Sequence, residues 1–446
     1  MKRYDSYKDS GVEWIGEVPS HWDTIPLKYS SQGGKKSFID GDWIESNVIT
    51  TDGIRYLTTG NVGVINYKEQ GTGFISEKTF HDLNCTEVFP GDILISRLNL
   101  PIGRACIVPD LGYRIVVAVD NVIYRPNKTF LNKYYAIYQM NCKPYSENAS
   151  FIARGSTMQR ISRSMLGSIH LLLPPIGEQE KIASYLNSKC GEIDKVIFTQ
   201  EKRIALLQEL KQSIITHAVT KGLNPDVKMK DSGIEWIGEV PEHWDVFRLK
   251  HIYKLHGRIG WNGLKSDEFE EVSFAYLVTG QDFSNDNVEW CHCYQINKNR
   301  YDEDPFIQLS EGDILVTKDG TIGKVAVVRN LDKPACLNSG IFVLKEKRNM
   351  NNRFSFWYLF SPILSQFNYW MNNGATTIQH LYQNVFERMP FPVPPITEQQ
   401  EIASYLDKRC AQIDASISKA QKEIELLQEY KQSLITEVVT GKRKVC

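Results

Sequence analysis

The 446-residue sequence lacks any apolar run of the roughly 18 residues that a membrane-spanning helix needs. Its N-terminal segment, MKRYDSYKDSGVEW, has no apolar core of the kind found in signal peptides, so a cytoplasmic chain is expected. The formal net charge is only −1, which excludes a general polyanion binder. If the chain meets nucleic acid, its charge must be sorted onto patches.

Disulfide, metal and cofactor motifs are also missing. The nine cysteines are scattered and odd in number, which is typical of reduced thiols acting as small apolar side chains. The cluster Cys291, His292 and Cys293 has no second ligand pair at zinc-site spacing, so an ordinary strand or loop is favoured there over a metal site. The sequence contains no phosphate-binding G-x-x-x-x-G-K-[ST] loop, no G-x-G-x-x-G loop and no Asn-Pro-Pro-aromatic motif. We therefore expect no catalysis, metal or cofactor from this chain alone.

Two blocks of sequence are present twice, about 220 residues apart. Residues 9–23 and 231–245 differ at two of 15 positions, and residues 174–220 match residues 394–440 at 27 of 47. Elsewhere the two halves barely agree. The duplication conserves these two blocks, which we call the frame, and varies the sequence between them. This pattern predicts one scaffold that occurs twice and carries two different recognition surfaces.

The repeat divides the chain into a globular unit at 1–173, a long helix at 174–222, a second unit at 223–393, and a second helix with a C-terminal tail at 394–446. A proline pair opens each helical block, and proline can neither continue a strand ladder nor sit inside a helix. Thr397 and Gln400 form a capping-box pattern. Gly222 and Gly441 suit helix ends.

Both helical blocks carry apolar residues at seven-residue spacing, which predicts a coiled-coil seam. A helix of some 43 residues is about 65 Å long, more than one domain needs, so each helix is expected to pair with the other. The alternative is two amphipathic helices that each pack on their own globular unit. The two series are Leu186, Ile193, Gln200, Leu207 and Ile214, and Leu406, Ile413, Ala420, Leu427 and Leu434.

The globular units share a weaker pattern. Residues 91–97 and 312–318 read as a turn followed by a strand, and residues 102–108 and 322–328 read as hairpin partners of those strands. Helices are expected within about 130–150 and 352–371. Both units therefore belong to one α+β fold.

These motifs together resemble one family, the specificity subunits of type I restriction–modification systems. The resemblance rests on PPI-x-EQ-x-x-IA-x-YL at each helix start, the preceding GDI-[LV]-x-[ST]-[RK] and IG-[RK] strands, and the WIG-x-VP-x-HW blocks, and it covers essentially the whole chain. It implies two tandem α/β target-recognition domains separated by two long helices in an antiparallel coiled coil, with an internal pseudo-two-fold repeat.

The resemblance also implies partners. Each domain would read one half of an asymmetric double-stranded DNA target, held apart by the helix pair. Two methyltransferase subunits, using S-adenosylmethionine, would flip out and methylate adenine, and restriction subunits, using ATP and Mg, would translocate and cut DNA.

Candidate contact residues follow from the repeat. The four tryptophans of the WIG-x-VP-x-HW blocks are either partner anchors or core aromatics. Basic residues after the predicted strands, and loops with small hydroxyl residues, a glutamine and a cation, suit phosphate and base-edge contacts; a solvated face or a plain loop is the alternative. Residues 318–353 hold eight basic and three acidic side chains, a possible phosphate track. The predicted DNA contacts are Arg97, Arg104, Ser156, Thr157, Gln159, Arg160, Lys318, Lys324, Thr376, Thr377, Gln379 and His380, and the predicted partner anchors are Trp14, Trp22, Trp236 and Trp244.

Two other functions compete with DNA recognition. A protein-interaction adaptor with tandem binding modules and no DNA role is favoured by the near-zero net charge. An enzyme is suggested only by isolated pairs such as Asp313 and Asp319.

Overall fold

The computed structural model describes residues 3–34, 36–155, 158–258, 264, 268–284, 286–371 and 380–445. The chain forms two compact units. Unit 1 comprises Met1–Gln200 and Lys422–Cys446, and unit 2 comprises Glu201–Gln421. Each unit therefore contains one α+β domain and a part of each long helix, whereas the sequence boundaries placed each helix in a segment of its own.

Unit 1 is built on two four-stranded sheets, in the orders β4-β11-β8-β9 and β10-β6-β7-β5. The first is antiparallel throughout, and the second contains the parallel pair β10 and β6. Two short pairs, β1-β2 and β12-β3, complete it. The strands are β1 Tyr7–Asp9, β2 Glu17–Pro19, β3 Asp23–Pro26, β4 Phe38–Asp40, β5 Ile49–Thr50, β6 Ile54–Leu57, β7 Phe74–Ile75, β8 Ile93–Ser96, β9 Ala105–Ile107, β10 Ile115–Val117, β11 Asn121–Tyr124 and β12 His170–Leu173; the helices are α1 Glu77–Asp82, α2 Lys133–Met140, α3 Lys143–Ile152, α4 Arg163–Ser168 and the start of α5 Ile176–Lys221.

Unit 2 has a six-stranded sheet in the order β16-β24-β21-β22-β19-β18 and a three-stranded sheet β20-β17-β23. The short pairs β13-β14 and β15-β25 correspond to those of unit 1. The strands are β13 Met229–Asp231, β14 Glu239–Pro241, β15 Asp245–Arg248, β16 Tyr253–His256, β17 Ala275–Val278, β18 Phe283–Ser284, β19 Asn287–Val288, β20 Tyr294–Ile296, β21 Ile314–Thr317, β22 Val325–Val327, β23 Ala335–Leu337, β24 Ile341–Glu346 and β25 Pro390–Val393; the helices are α6 Lys298–Asp302, α7 Asn352–Phe360, α8 Pro362–Met371, α9 Gln383–Phe386 and the start of α10 Ile396–Val439.

The predicted strand pairs are confirmed in both units. β8 and β21 are buried at all four positions, because these ILIS and ILVT runs lie in the middle of their sheets. Each follows a glycine at positive φ, Gly91 at 92° and Gly312 at 86°, a conformation that a residue with a Cβ rarely adopts. The antiparallel partners β9 and β22 follow as expected. The predicted helical stretches contain α2 and α3 in unit 1 and α7 and α8 in unit 2.

The long helices pair antiparallel within each unit. In unit 1, Lys431 Nζ lies 2.6 Å from Asp194 Oδ1, and Gln200 Nε2 donates to Glu423 at 3.1 Å. In unit 2, Lys211 Nζ lies 2.7 Å from Asp414. The predicted helix pairing is therefore confirmed, and each domain packs the start of one helix and the end of the other. The buried seam contains Leu186, Cys190, Ile193, Leu434 and Ile435 in unit 1, and Ile215, Ala218, Ile402, Leu406 and Cys410 in unit 2.

The helix ends agree with the sequence at one terminus only. Gly222 and Gly441 end the helices at φ of 76° and 70°, as predicted. The capping box at Thr397 is wrong, because α10 already begins at Ile396 and Thr397 lies inside its first turn. At the start of α10 the side-chain hydrogen bond comes from a glutamine instead, because Gln399 Nε2 donates to the carbonyl of Pro394 at 2.8 Å.

Candidate nucleic-acid interface

The turn between β8 and β9 and residues 158–161 lie side by side in unit 1. Ile161 N donates to Arg97 O at 3.0 Å, and Asn99 N donates to Gln159 O at 3.2 Å. Arg154 and Arg160 form a bridge with two backbone hydrogen bonds, at 2.9 and 3.0 Å. The fold thus brings together three of the predicted contact residues, Arg97, Gln159 and Arg160.

Two of these residues, Arg97 and Arg160, belong to an ionic network. We call it the unit 1 basic cluster, and its members are Arg97, Arg160, Arg163, Asp40 and Asp120. Arg160 Nη2 lies 2.7 Å from Asp120 Oδ1, and Arg163 Nε lies 3.5 Å from Asp40 Oδ2. Arg97 Nε lies 3.1 Å from Asp40, and its Nη2 lies 3.8 Å from Asp120. Three cations face two carboxylates, so the cluster keeps a net positive charge.

Members of the cluster differ in exposure. The Arg97 side chain is buried and donates to the carbonyls of Ile161 and Val119, at 3.2 and 2.7 Å. Burial lowers the pKa of Arg97 below its ordinary value, and Asp40 opposes the shift. The Arg160 side chain is 49% exposed. The Arg163 side chain is 42% exposed. Arg97 therefore supports the cluster from below, and Arg160 and Arg163 are its cations that a ligand can reach.

Arg104 holds the turn instead of facing outward. Its guanidinium donates to the carbonyls of Val62, Thr59 and Asn99 at 2.7, 2.9 and 2.8 Å, and to two more in the same turn. Burial lowers its pKa. These bonds commit most of the guanidinium N–H groups to the turn, so its geometry argues against the predicted contact.

Unit 2 contains the equivalent arrangement with different side chains. Leu381 N donates to Lys318 O at 2.9 Å, as Ile161 does to Arg97. The Lys318 ammonium lies over the Phe342 ring, 5.0 Å from its centroid, and burial lowers its pKa while Asp319 opposes the shift. His380 Nδ1 is hydrogen-bonded to Asp319 Oδ1. Among the residues that the structure describes, exposed Lys324 Nζ donates to the carbonyl of Gly280 alone, at 3.4 Å. We call Lys318, Asp319, Lys324 and His380 the unit 2 basic cluster.

Five of the predicted contact residues lie outside the described residues. They are Ser156, Thr157, Thr376, Thr377 and Gln379.

The predicted phosphate track at 318–353 contains fewer available cations than its composition indicates. Lys345 pairs with Asp313, and Arg353 Nε lies 2.5 Å from Asp407. Arg329 pairs with Asp286 at 3.3 Å. The same holds in unit 1, where Arg114 and Arg125 pair with carboxylates. Most of these charges stabilise the local fold.

The two tryptophans of the HW dipeptides lie in the unit cores. Trp22 and Trp244 are fully buried. Trp244 Nε1 donates to Glu398 Oε2 at 3.0 Å, and His243 Nε2 lies 2.8 Å from the same oxygen. Neither indole can touch a partner without rearrangement, so the core-aromatic alternative describes both.

These contacts explain why only two blocks of the sequence are repeated. In unit 1, Glu178 accepts from Tyr4 and lies 2.9 Å from His21 Nε2, and Gly441 at the end of α10 lies against Trp22. Unit 2 repeats this with Glu398, His243 and Gly222. Each pair of blocks forms a joint that connects one domain to the start of one helix and the end of the other. Sequence reasoning missed the joint, although repetition of these blocks alone was a signal that they touch.

The first tryptophans of the blocks are half-buried. Trp14 packs edge-on against Tyr145, with ring centroids 6.0 Å apart, and Trp236 stacks on Trp370 at 5.7 Å. Trp370 is itself 47% exposed. A partner contact at Trp14 and Trp236 stays a prediction.

The described residues contain no group of His, Cys, Asp or Glu side chains that could hold a metal ion. Residues Trp290–His292 form a short 3-10 turn, with His292 paired to Glu289, so the ordinary-loop alternative holds at Cys291. The described cysteines are unpaired, and all but Cys291 are buried. Asp313 and Asp319 are committed to Lys345 and His380 respectively. No helix in the described part of the chain is long and apolar enough to cross a membrane.

A duplicated frame that carries two unlike basic clusters, one on each α+β domain, defines the class: a nucleic-acid recognition scaffold with two reading units. A family model described as "Type I restriction modification DNA specificity domain" matches residues 32–205 and 241–426. The chain belongs to this family, the specificity subunits of type I restriction–modification systems. Its role is sequence-specific DNA recognition, and neither the family match nor the described part of the chain favours the adaptor without a DNA role.

Related sequences agree with this family, and solved structures agree with the fold. The MjaIX type I restriction enzyme specificity subunit of Methanocaldococcus jannaschii is 22% identical over 457 residues, covering 97% of this chain and 95% of the relative. The MjaVIII specificity subunit of that organism is 24% identical, covering 75% and 76%. A chain solved in work on assembly and conformational transition of the type I R-M system has a TM-score of 0.72 at 15% identity, covering 95% and 98%. The HsdS subunit from Thermoanaerobacter tengcongensis has a TM-score of 0.50 at 14% identity, covering 96% and 98%. At these identities the structures support the fold.

Proposed function

We propose that unit 1 and unit 2 each read one half of a bipartite, asymmetric double-stranded DNA target. The observation that carries the proposal is the pair of basic clusters, which lie at equivalent backbone positions and differ in chemistry. At one equivalent position unit 1 offers Arg160 and unit 2 offers His380. Arg163 in unit 1 and Lys324 in unit 2 are further cations that a ligand can reach, at positions that do not correspond. Equivalent positions with unlike hydrogen-bonding groups suit two different half-sites.

We infer that two copies of a methyltransferase subunit dock on the duplicated frame. Apolar side chains on the long helices remain exposed outside the seam, and they recur at repeat-equivalent positions. Leu206 and Leu210 are 64% and 46% exposed in unit 2, and Leu426 and Tyr430 are 52% and 51% exposed in unit 1. Matching apolar positions fit one kind of partner bound twice. Trp14 and Trp236 are proposed to extend these surfaces.

Catalysis is assigned to the partners. In this proposal, methyltransferase subunits hold S-adenosylmethionine and modify an extruded adenine, and restriction subunits hold ATP and Mg. This chain supplies target choice and scaffolding, and it binds none of these cofactors itself.

Salt titration tests the DNA role. The chain, purified with its methyltransferase partner, is titrated with duplexes at several salt concentrations. Phosphate contacts predict that log K falls linearly with log salt, by a slope of about −0.9 for each phosphate neutralised. Lys324→Gln removes one phosphate contact and should make this slope less negative by about 1. The substitution should weaken binding equally for all sequences. Binding that is indifferent to both salt and sequence would support the adaptor and overturn the proposal.

A further inference from the structure

We propose that Asp120 and Asp319 are positioning residues for base recognition: each carboxylate orients the basic side chain at the equivalent position of its unit, Arg160 in unit 1 and His380 in unit 2. This inference rests on the proposed function, because it assumes that each unit reads DNA. Acidic residues are not expected to contact DNA, because the phosphate backbone is negatively charged. In this proposal two of them nevertheless influence which base is recognised.

The backbone of Arg160 is fixed on both sides. Its N–H donates to Arg154 O at 2.9 Å and its carbonyl accepts from Arg154 N at 3.0 Å. Its neighbours Gln159 and Ile161 are bonded to the β8–β9 turn. The starting point of the side chain is therefore set by the fold.

The guanidinium of Arg160 is ion-paired with Asp120, whose Oδ1 lies 2.7 Å from Nη2. Half of the side chain is exposed, so part of the planar guanidinium faces solvent. An arginine already held in one rotamer loses less conformational entropy when it binds. Such a fork matches guanine O6 and N7, the commonest specific contact in the major groove. We therefore assign guanine to the base that Arg160 reads.

Asp120 is not needed to hold the buried arginine beneath it. Arg97 is ion-paired with Asp40 at 3.1 Å and donates to two backbone carbonyls, whereas its Nη2 is 3.8 Å from Asp120. The closer contact of Asp120 is to Arg160, so its main effect is on the exposed cation.

Unit 2 places a carboxylate at the corresponding location from a different segment: Asp120 immediately precedes β11 in unit 1, whereas Asp319 lies in the turn after β21 in unit 2. The residue equivalent to Asp120 is Gly340: Lys318 N donates to Gly340 O, as Arg97 N does to Asp120 O. A Cβ added at Gly340 would lie 3.7 Å from the Cβ of Asp319. Asp319 therefore fills the region that the Asp120 side chain occupies in unit 1, and it holds His380 instead of Arg160. The same arrangement is built from different residues, which argues for a shared role.

The two readers should differ in strength. The guanidinium presents two parallel N–H groups to one base, whereas the imidazole of His380, with Nδ1 bonded to Asp319, presents only its second nitrogen. Discrimination by unit 1 at its position should accordingly exceed discrimination by unit 2 at the equivalent position.

The test uses the chain in complex with its methyltransferase partner and a duplex library randomised across the wild-type target. Asp120→Asn removes the charge and keeps the volume. We expect it to lower the preference for guanine at one position of the unit 1 half-site by about tenfold, within the roughly 5- to 150-fold range of one bidentate contact. The unit 2 half-site should not change, which also reports that the complex is folded. Asp319→Asn should do the converse, with a smaller effect, and Asp82→Asn, an exposed carboxylate on α1, serves as the matched control.

A double-variant cycle separates positioning from stability. If Asp120 acts through Arg160, Asp120→Asn adds no further loss in an Arg160→Gln background. An additive loss, a loss spread equally over all sequences, or an unchanged preference would overturn the inference. The proposed function fails differently, through a wild-type complex that discriminates at neither half-site.

Discussion

Glu178→Ala should destabilise unit 1 through the joint between its domain and the long helices. Glu178 lies in the first turn of α5 with its side chain only 12% exposed. It accepts from Tyr4, which precedes the N-terminal block, and contacts His21 within that block. Removal of the carboxylate takes this acceptor away from both side chains.

The expected cost is about 2 to 3 kcal/mol, because a hydrogen bond to a charged group contributes about 1.5 to 3 kcal/mol and the half-exposed His21 contributes at the low end. For a unit of this size that corresponds to a fall in Tm of about 5 to 10 °C. The effect depends on pH. Burial raises the pKa of Glu178, but hydrogen bonds from Tyr4 and His21 more than offset it, so the folded-state pKa lies below 4.5. The stabilisation is therefore present above pH 4.5 and is lost as the pH falls through the folded-state pKa.

Hydrogen exchange measured by mass spectrometry, which reports the two units separately, is the suitable assay. Protection should fall in unit 1 and stay unchanged in unit 2, and the difference from wild type should shrink as the pH is lowered below about 4.5. Glu180→Ala, an exposed glutamate two residues along the same helix, is the control. Equal effects of the two substitutions, or an equal loss of protection in both units, would show that Glu178 does not connect the unit 1 domain to the helices.

Four further predictions concern the helices, the domains and the turn. Lys211→Glu should destabilise unit 2 by about 0.5 to 1 kcal/mol, and adding Asp414→Lys should restore the loss; thermal unfolding at low salt measures both. Deleting one heptad within 205–213, and its match in the other helix, shortens each helix by about 10 Å and should change the spacer between half-sites by about three base pairs without changing either half-site; an altered half-site would contradict it. Exchanging residues 24–170 for another recognition domain should change one half-site only, as read by adenine methylation, and a change in both would argue against independent reading. Arg104→Gln should lower protection of the β8–β9 turn in hydrogen exchange and weaken DNA binding at all sequences alike, whereas loss of preference at a single base would show a direct contact.

The sequence predicted the frame well because the frame is periodic and repeated. The seam residues Leu186 and Leu406 follow from heptad spacing alone, and the buried strand β8 follows from its apolar run after Gly91. The start of α10 was predicted wrongly, because Thr397 satisfies a capping pattern while the proline pair already initiates the helix.

The candidate site was less accessible from the sequence. Arg104 and Arg160 are both cations predicted to contact DNA, yet one is committed to backbone carbonyls and the other is half exposed. Which carbonyls and carboxylates surround a cation depends on contacts between segments distant in sequence, such as Asp120 with Arg160. No local pattern contains that information, and basic residue counts over 318–353 overstated the free charge for the same reason.

The central claim is that one chain carries two independent DNA-reading units on a duplicated frame. Mapping modified adenines across the genome of cells with and without this chain tests it most directly. The account predicts a split motif, with two unlike halves and a fixed spacer, that is methylated only when the chain is present. A continuous motif, or methylation that is the same in both cells, would contradict it.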